Sequence, residues 1–315
     1  MSTPSSIRIV FMGTPDFAVP SLESLMEAGF KIAGVVTAPD KPAGRGMKVQ
    51  GSAVKKFAQQ HQLNIIQPLK LKDPDFLNSL RALDAHLQVV VAFRMLPEQV
   101  WNMPPMGTIN LHGSLLPQYR GAAPINWAII NGERETGVTT FKMKQEIDTG
   151  DILLQERISI GDDDTAGELH DRMKIIGAGL LVRTVQGLAD GTLRERPQEP
   201  LPDPSLLKRA PKISTETCRI DWNQPVENVH NLIRGLSPYP SAFSSLSGKT
   251  LKIFRSKKEI TEHGELPGTV KSDGKSFLKF TCTNGYILVL EMQLEGKKRM
   301  KVDEFLRGWE AKAAF

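Results

Sequence analysis

Ile7-Arg-Ile-Val-Phe-Met-Gly-Thr-Pro-Asp16 is an apolar run ended by a glycine and proline turn, the pattern of a strand buried on both faces. Phe17, Leu22, Leu25 and Met26 then have helical spacing, and Gly29 stops that helix. Lys31-Ile-Ala-Gly-Val-Val-Thr37 predicts a second strand. Strand, helix and strand in this order suit a parallel pair joined by a crossover. The alternation continues outward. Ser52 is placed to cap a helix through His61, and Asn64-Ile-Ile-Gln67 is a short third strand. A helix over Asp73–Leu83, a strand over Leu87–Ala92, a helix from Pro97 and a strand over Thr108–Leu111 follow. This order predicts an α/β fold, a Rossmann-like, mostly parallel sheet with helices on both faces.

Beyond the alternation the pattern changes. Gly137–Met143 and Ile152–Ile160 read as strands, antiparallel about an intervening loop, and a long helix spans Thr165–Ala189 before Gly191. Arg196-Pro-Gln-Glu-Pro-Leu-Pro-Asp-Pro204 cannot continue a helix and reads as an extended linker. Pro225 opens a helix through Leu236. Five short strand candidates follow: Ala242–Leu246, Thr250–Phe254, Gly268–Lys271, Phe277–Thr281 and Tyr286–Leu290. They predict a small C-terminal β-barrel, OB-like in type. The expected division is a domain over 1–195, a Pro-rich linker over 196–208 and a basic domain over 209–315.

The 315 residues, 40% apolar and 24% charged, are ordinary for a globular chain. No stretch approaches the roughly 20 apolar residues of a bilayer span. The first residues show neither a basic nor an apolar signal region, so a cytoplasmic location without membrane contact is expected. Cys218 and Cys282 form no C-x-x-C pair, so neither a metal site nor a disulfide framework is expected. Residues 1–208 carry 22 Lys+Arg against 23 Asp+Glu, a net −1, whereas residues 209–315 carry 18 against 12, a net +6. That asymmetry suits a polyanionic partner and equally a plain basic surface.

Three segments carry chemistry. The turn Gly13-Thr-Pro-Asp16 matches neither G-x-G-x-x-G nor G-x-x-x-x-G-K-[ST], which argues against a dinucleotide or ATP phosphate site there. Asp40-Lys-Pro-Ala-Gly-Arg-Gly-Met-Lys-Val49 is a long loop with Lys41, Arg45 and Lys48, suited to a phosphate backbone or simply to solvent. Gly107-Thr-Ile-Asn-Leu-His-Gly-Ser-Leu-Leu-Pro117 sets Asn110 and His112 two residues apart, on one face of a strand near its C-terminal end. Ile147-Asp-Thr-Gly-Asp-Ile152 offers the Asp148 carboxylate from a loop. Amide, imidazole and carboxylate together can stabilise an oxyanion and move a proton. A histidine on an apolar strand is also readily structural, and the residues alone leave both readings open.

Asn110-Leu-His-Gly-Ser-Leu-Leu-Pro117, Arg120-Gly-Ala-Ala-Pro124 and Asp148-Thr-Gly-Asp151 resemble the signature of the folate-dependent formyltransferases. Adding Gly13-Thr-Pro-Asp-Phe17, Pro42-Ala-Gly-Arg-Gly46 and the basic C-terminal segment, the chain is similar to the branch of that superfamily that acts on initiator methionyl-tRNA. The resemblance runs nearly end to end. It implies 10-formyltetrahydrofolate as formyl donor and co-substrate, no metal, and the acceptor stem of initiator methionyl-tRNA as partner; a monomer is the default expectation. It implies that Asn110 hydrogen-bonds the formyl oxygen, that His112 stabilises the oxyanion, and that Asp148 orients His112 and relays protons. Ser114, Leu115, Leu116 and Pro117 would belong to the folate site, and Arg45, with Lys41 and Lys48, would meet the tRNA. The chain departs from the family pattern at Phe93-Arg94, where Tyr-Gly is familiar, at Ile147 for Leu and at Tyr119 for Trp.

Two other readings share these residues. A formyltransferase acting on a small-molecule amine would keep Asn110, His112 and Asp148 but needs no basic domain. A non-catalytic RNA-binding protein on a degenerate enzyme fold would not need the three intact.

Overall fold

A computed structural model describes residues 7–43, 48–198 and 203–308. Seven strands form the larger sheet: β1 (Arg8–Gly13), β2 (Lys31–Val36), β3 (Ile65–Ile66), β4 (Leu87–Val91), β5 (Thr108–His112), β6 (Glu135–Lys142) and β7 (Ile152–Ser159). Their order across the sheet is β7-β6-β5-β4-β1-β2-β3. The five from β3 to β5 are parallel, and β6 runs antiparallel to β5. The expected α/β architecture is therefore present.

Period-two alternation explains why the central strands are apolar throughout. Val10, Met12 and Val90 pack with Phe76, Leu77 and Leu80 of the helix Pro74–Ala82, while Ile9, Phe11 and Val89 face the other way and are equally buried. The one polar side chain of β4, Gln88, is buried with its amide 3.1 Å from the Thr108 hydroxyl, which donates to the Trp101 carbonyl at 2.6 Å. On β6, the Thr140 hydroxyl meets that of Thr184, on the helix Ala166–Ala189, at 2.8 Å.

Two departures from the sequence reading concern this part of the chain. Lys41–Ala43 and Lys48–Gln50 pair as an antiparallel ribbon, with Pro42 opposite Val49, where a plain loop was expected. Three-residue strands are too short to show alternation. The helix Pro124–Ile130 was not anticipated, although Pro124 stands at its favoured first position.

Six strands form the smaller sheet: β8 (Ala242–Leu246), β9 (Lys249–Ile260), β10 (Val270–Ser272), β11 (Leu278–Cys282), β12 (Gly285–Leu294) and β13 (Met300–Lys301). The order is β8-β9-β12-β11-β10, all antiparallel, with β13 added to β12. The five expected strands are there, but β9 is twelve residues long. Its register against β12 shifts between Ile253 and Ser256, which breaks the alternation and made the sequence read as a shorter strand. Leu251, Ile253, Phe280, Ile287 and Met292 build its core with Val226, Val229 and Ile233 of the helix Val226–Gly235.

By internal contacts the chain divides into two units. One comprises residues 1–120, 137–158 and 170–208, the other 121–136, 159–169 and 209–315. The second unit contains a reciprocal cap that fixes the start of the long helix. The Thr165 hydroxyl accepts from the Glu168 N–H at 3.3 Å, and the Glu168 carboxylate accepts from the Thr165 N–H at 2.9 Å. Burial raises the Glu168 pKa, but the Thr165 and Arg255 donors outweigh it and hold the group at about 2 against an ordinary 4.5. A depressed carboxylate stabilises the fold above its unfolded value and loses that contribution as pH falls toward its folded value. Glu168→Gln is thus expected to lower Tm at about pH 6 and to differ little from wild type near pH 2, read by thermal melts across that range.

Candidate active site

Asn110 and His112 lie on β5 and share a face. The register sets Asn110 opposite Phe141 and His112 opposite Thr139 on β6, and directly opposed residues point the same way. His112 is the last residue of β5, at the C-terminal edge where parallel sheets place ligand sites. It is 7% exposed, and its Nε2 meets the Tyr119 carbonyl at 2.9 Å. A carbonyl can only accept, so Nε2 carries hydrogen, and in the neutral ring the lone pair sits on Nδ1. That nitrogen is 3.8 Å from Oδ2 of Asp148, ion-pair range but beyond a hydrogen bond. Asn110 is half-buried, and among the described residues its side-chain amide enters no hydrogen bond.

The loop between β6 and β7 brings Asp148 to this face. Asp148 adopts φ +55°, a left-handed conformation uncommon for a residue with a Cβ. Gly150 lies so close to β6 that a Cβ there would stand 1.6 Å from the Lys142 carbonyl oxygen. The Gln198 side-chain amide donates to the Asp148 and Gly150 carbonyls, each at 2.8 Å. Arg120 donates to Gln198 Oε1 from Nε at 3.1 Å and Nη2 at 2.6 Å. Sequence reasoning missed this pair. Gln198 lay in a stretch whose prolines read as linker, and nothing in its neighbours signalled a partner fifty residues away.

The turn after β5 is locked from beneath. Ser114 is fully buried and its hydroxyl donates to the Gln118 carbonyl at 2.6 Å. Thr139 donates to the Ser114 carbonyl at 2.6 Å and accepts from the Leu116 N–H at 3.1 Å. Leu116 packs on Phe141 and Ile152, under the site. Leu115 and Pro117 are half-exposed, and Leu115 and Leu116 border a cavity of 530 Å³ with Gln155, Arg157 and Arg183. Arg94 donates to the carbonyls of Pro68 and Leu69, tying the loop after β3 to the one after β4. Burial pushes its guanidinium below the usual range, and its Nε has no partner among the described residues. The loops it joins expose Leu69 and Met95, at 81% and 72%.

Of the residues expected to meet tRNA, Lys41 is exposed at the start of the ribbon. Arg45 lies outside the described residues, as does the side chain of Lys48. Asp16, His170 and Asp171 bring potential metal-ligand atoms within 4.8 Å of one another, but the Lys174 ammonium already stands 2.7 Å from Asp171 and 3.5 Å from Asp16. Among the described residues, no helix is long and apolar enough to cross a membrane.

Residues 7–185 match the formyl transferase family and residues 212–310 its C-terminal domain. The chain belongs to the formyl transferase family. It is 54% identical to the methionyl-tRNA formyltransferase of Bacteroides fragilis over 314 residues, covering 98% of this chain and 97% of that protein. It is 52% identical to that of Parabacteroides distasonis over 316 residues, with 98% of each covered. Among solved structures, the formyl transferase fold recurs in WlaRD, a sugar 3N-formyl transferase crystallised in the presence of dTDP and 5-N-formyl-THF. The TM-score is 0.67 at 19% identity, over 93% of this chain and 99% of that one, a likeness of fold alone.

Proposed function

We propose that this formyl transferase moves the formyl group of 10-formyltetrahydrofolate to the α-amino group of methionine on initiator methionyl-tRNA, the first step of that tRNA's commitment to translation initiation. The observation that carries this reading is the approach of His112 to Asp148 beside an uncommitted Asn110 amide, in a chain similar end to end to methionyl-tRNA formyltransferases. The residues present fit a formyl donor. Asn110 has a free amide for a carbonyl, and Leu69 and Met95 offer exposed apolar surface at the same sheet edge. When bound, 10-formyltetrahydrofolate supplies the electrophilic formyl carbon.

The side chains divide the remaining work. Asn110 donates its N–H to the formyl oxygen, where negative charge develops as the amine attacks. A donor so placed contributes roughly 3–4 kcal/mol to the transition state. Nε2–H of His112 stays on the Tyr119 carbonyl, so Nδ1 is the nitrogen that takes the proton leaving the amine. Once protonated, Nδ1–H is a charged donor beside the oxyanion, Asp148 balances its charge, and the ring then gives that proton to the donor nitrogen that departs as its bond to the formyl carbon breaks, which returns His112 to the neutral form. The nucleophile belongs to the substrate, so no serine or cysteine nucleophile is required. Ser114 and Leu116 hold the turn beneath the donor site, and Leu115 and Pro117 are half-exposed in that same turn.

Residues 1–195 form the catalytic domain on this reading, and residues 209–315 the domain that meets tRNA. Lys271 is ion-paired with Glu265, and Lys298 with Glu304 at 3.5 Å. Among the described residues, Lys297 and Lys301 have no carboxylate within ion-pair distance, although Lys301 stands opposite Glu291 and helps to lower its pKa. Replacing Lys297 and Lys301 by Gln is therefore expected to raise the tRNA KM and reduce its salt slope by roughly one to two units, whereas Lys271→Gln changes both little. KM against salt concentration checks this. The function itself is tested by formylation of initiator and elongator methionyl-tRNA beside small amines. Preference for the initiator tRNA supports the proposal, and preference for a small amine overturns it.

A further inference from the structure

We infer that Gln198, oriented by Arg120, is a positioning residue for the reaction: one side-chain amide holds the Asp148 loop in the conformation that brings the carboxylate to His112. The inference rests on the reading of Asp148 as the partner of His112.

A glutamine amide has two N–H donors and one carbonyl, and here both kinds of group are committed. The nitrogen donates to the Asp148 and Gly150 carbonyls, and the oxygen accepts twice from Arg120. The amide cannot rotate by half a turn, because its oxygen would then face two carbonyls and its nitrogen a guanidinium. Arg120 thereby selects the orientation that Gln198 presents to the loop.

The loop needs such a hold. Asp148 is the one loop residue at positive φ, a conformation an aspartate leaves readily when nothing over-determines it. Relaxation of φ would swing the side chain away from the face of β5. With Nδ1 and Oδ2 already 3.8 Å apart, a small rotation separates them. The Gly150 backbone is pressed against Lys142 on one side and held by Gln198 on the other, so the two carbonyls flanking the turn are fixed together. Gln198 touches no reacting atom on this account and acts only through Asp148.

The test uses the full-length enzyme. Gln198→Ala and Gln198→Glu are assayed for kcat and for KM toward both substrates. The glutamate variant keeps an acceptor for Arg120 but loses both donors to the loop. Each is expected to lower kcat by about 10- to 100-fold with both KM values within about threefold of wild type. In an Asp148→Asn background, Gln198→Ala should cost less than about threefold more, because its effect passes through the carboxylate. Amide exchange over residues 146–151 should quicken in both Gln198 variants. A Gln198→Ala enzyme with near-normal kcat would overturn the inference, as would a loss undiminished in the Asp148→Asn background or unchanged exchange in the loop. The exchange measurement does not depend on which substrate is formylated, so failure of the functional reading and failure of this one are separable.

Discussion

Exchange of His112 for alanine is expected to lower kcat by about two to three orders of magnitude while the KM for tRNA changes little. The imidazole is held at one nitrogen and left open at the other. Nε2 is fixed on the Tyr119 carbonyl at 2.9 Å, which leaves Nδ1 as the nitrogen that faces Asp148 at 3.8 Å. Alanine removes the proton acceptor and the charged donor in one step. The side chain lies at the end of a strand rather than at the centre of a core cluster, so the melting temperature should fall by only a few degrees. Single-turnover formylation with saturating substrates separates the chemical step from binding. A His112→Ala enzyme within about fivefold of wild type would remove His112 from the mechanism.

Gly150→Ala is expected to be nearly as damaging, although it alters no polar group. Its Cβ would stand 1.6 Å from the Lys142 carbonyl oxygen and 3.0 Å from the Phe141 ring. The first distance is far inside contact, and its partner is strand backbone, which cannot step aside as a side-chain tip can. The loop must lift from β6, and the Asp148 carboxylate leaves with it. We expect a loss of about 2–4 kcal/mol in urea unfolding, consistent with overpacking against fixed neighbours, together with a fall in kcat of about 100-fold. Retained activity in this variant would mean that Asp148 need not be held where the structure places it.

Much of the fold was legible because its signals are local. The buried run Ile7–Met12, the stop at Gly29 and the alternation of strands with helices to Thr108 suffice for a parallel sheet. Elements that evaded reading either lack a periodic stretch, as in the ribbon around Pro42 and Val49, or interrupt their own period, as β9 does between Ile253 and Ser256. The site divides along the same line. Asn110 and His112 are two residues apart, and strand geometry alone puts them on one face. Asp148 was legible as the neighbour of His112 only through the family resemblance and not from spacing, because what carries it there is the register of β5 with β6, the cramped Gly150 and the hold of Gln198. Gln198 and Arg94 act on backbone carbonyls, and a carbonyl leaves no mark in a sequence. The Arg45 loop stays an expectation, since Arg45 lies outside the described residues.

The most direct measurement is the rate of formyl transfer to initiator methionyl-tRNA in wild type, His112→Ala, Asp148→Ala and the double variant. If ring and carboxylate share one proton-transfer task, the double variant should be slower than His112→Ala by no more than about threefold. Losses that multiply, or a wild type that leaves the tRNA unformylated, would contradict the account.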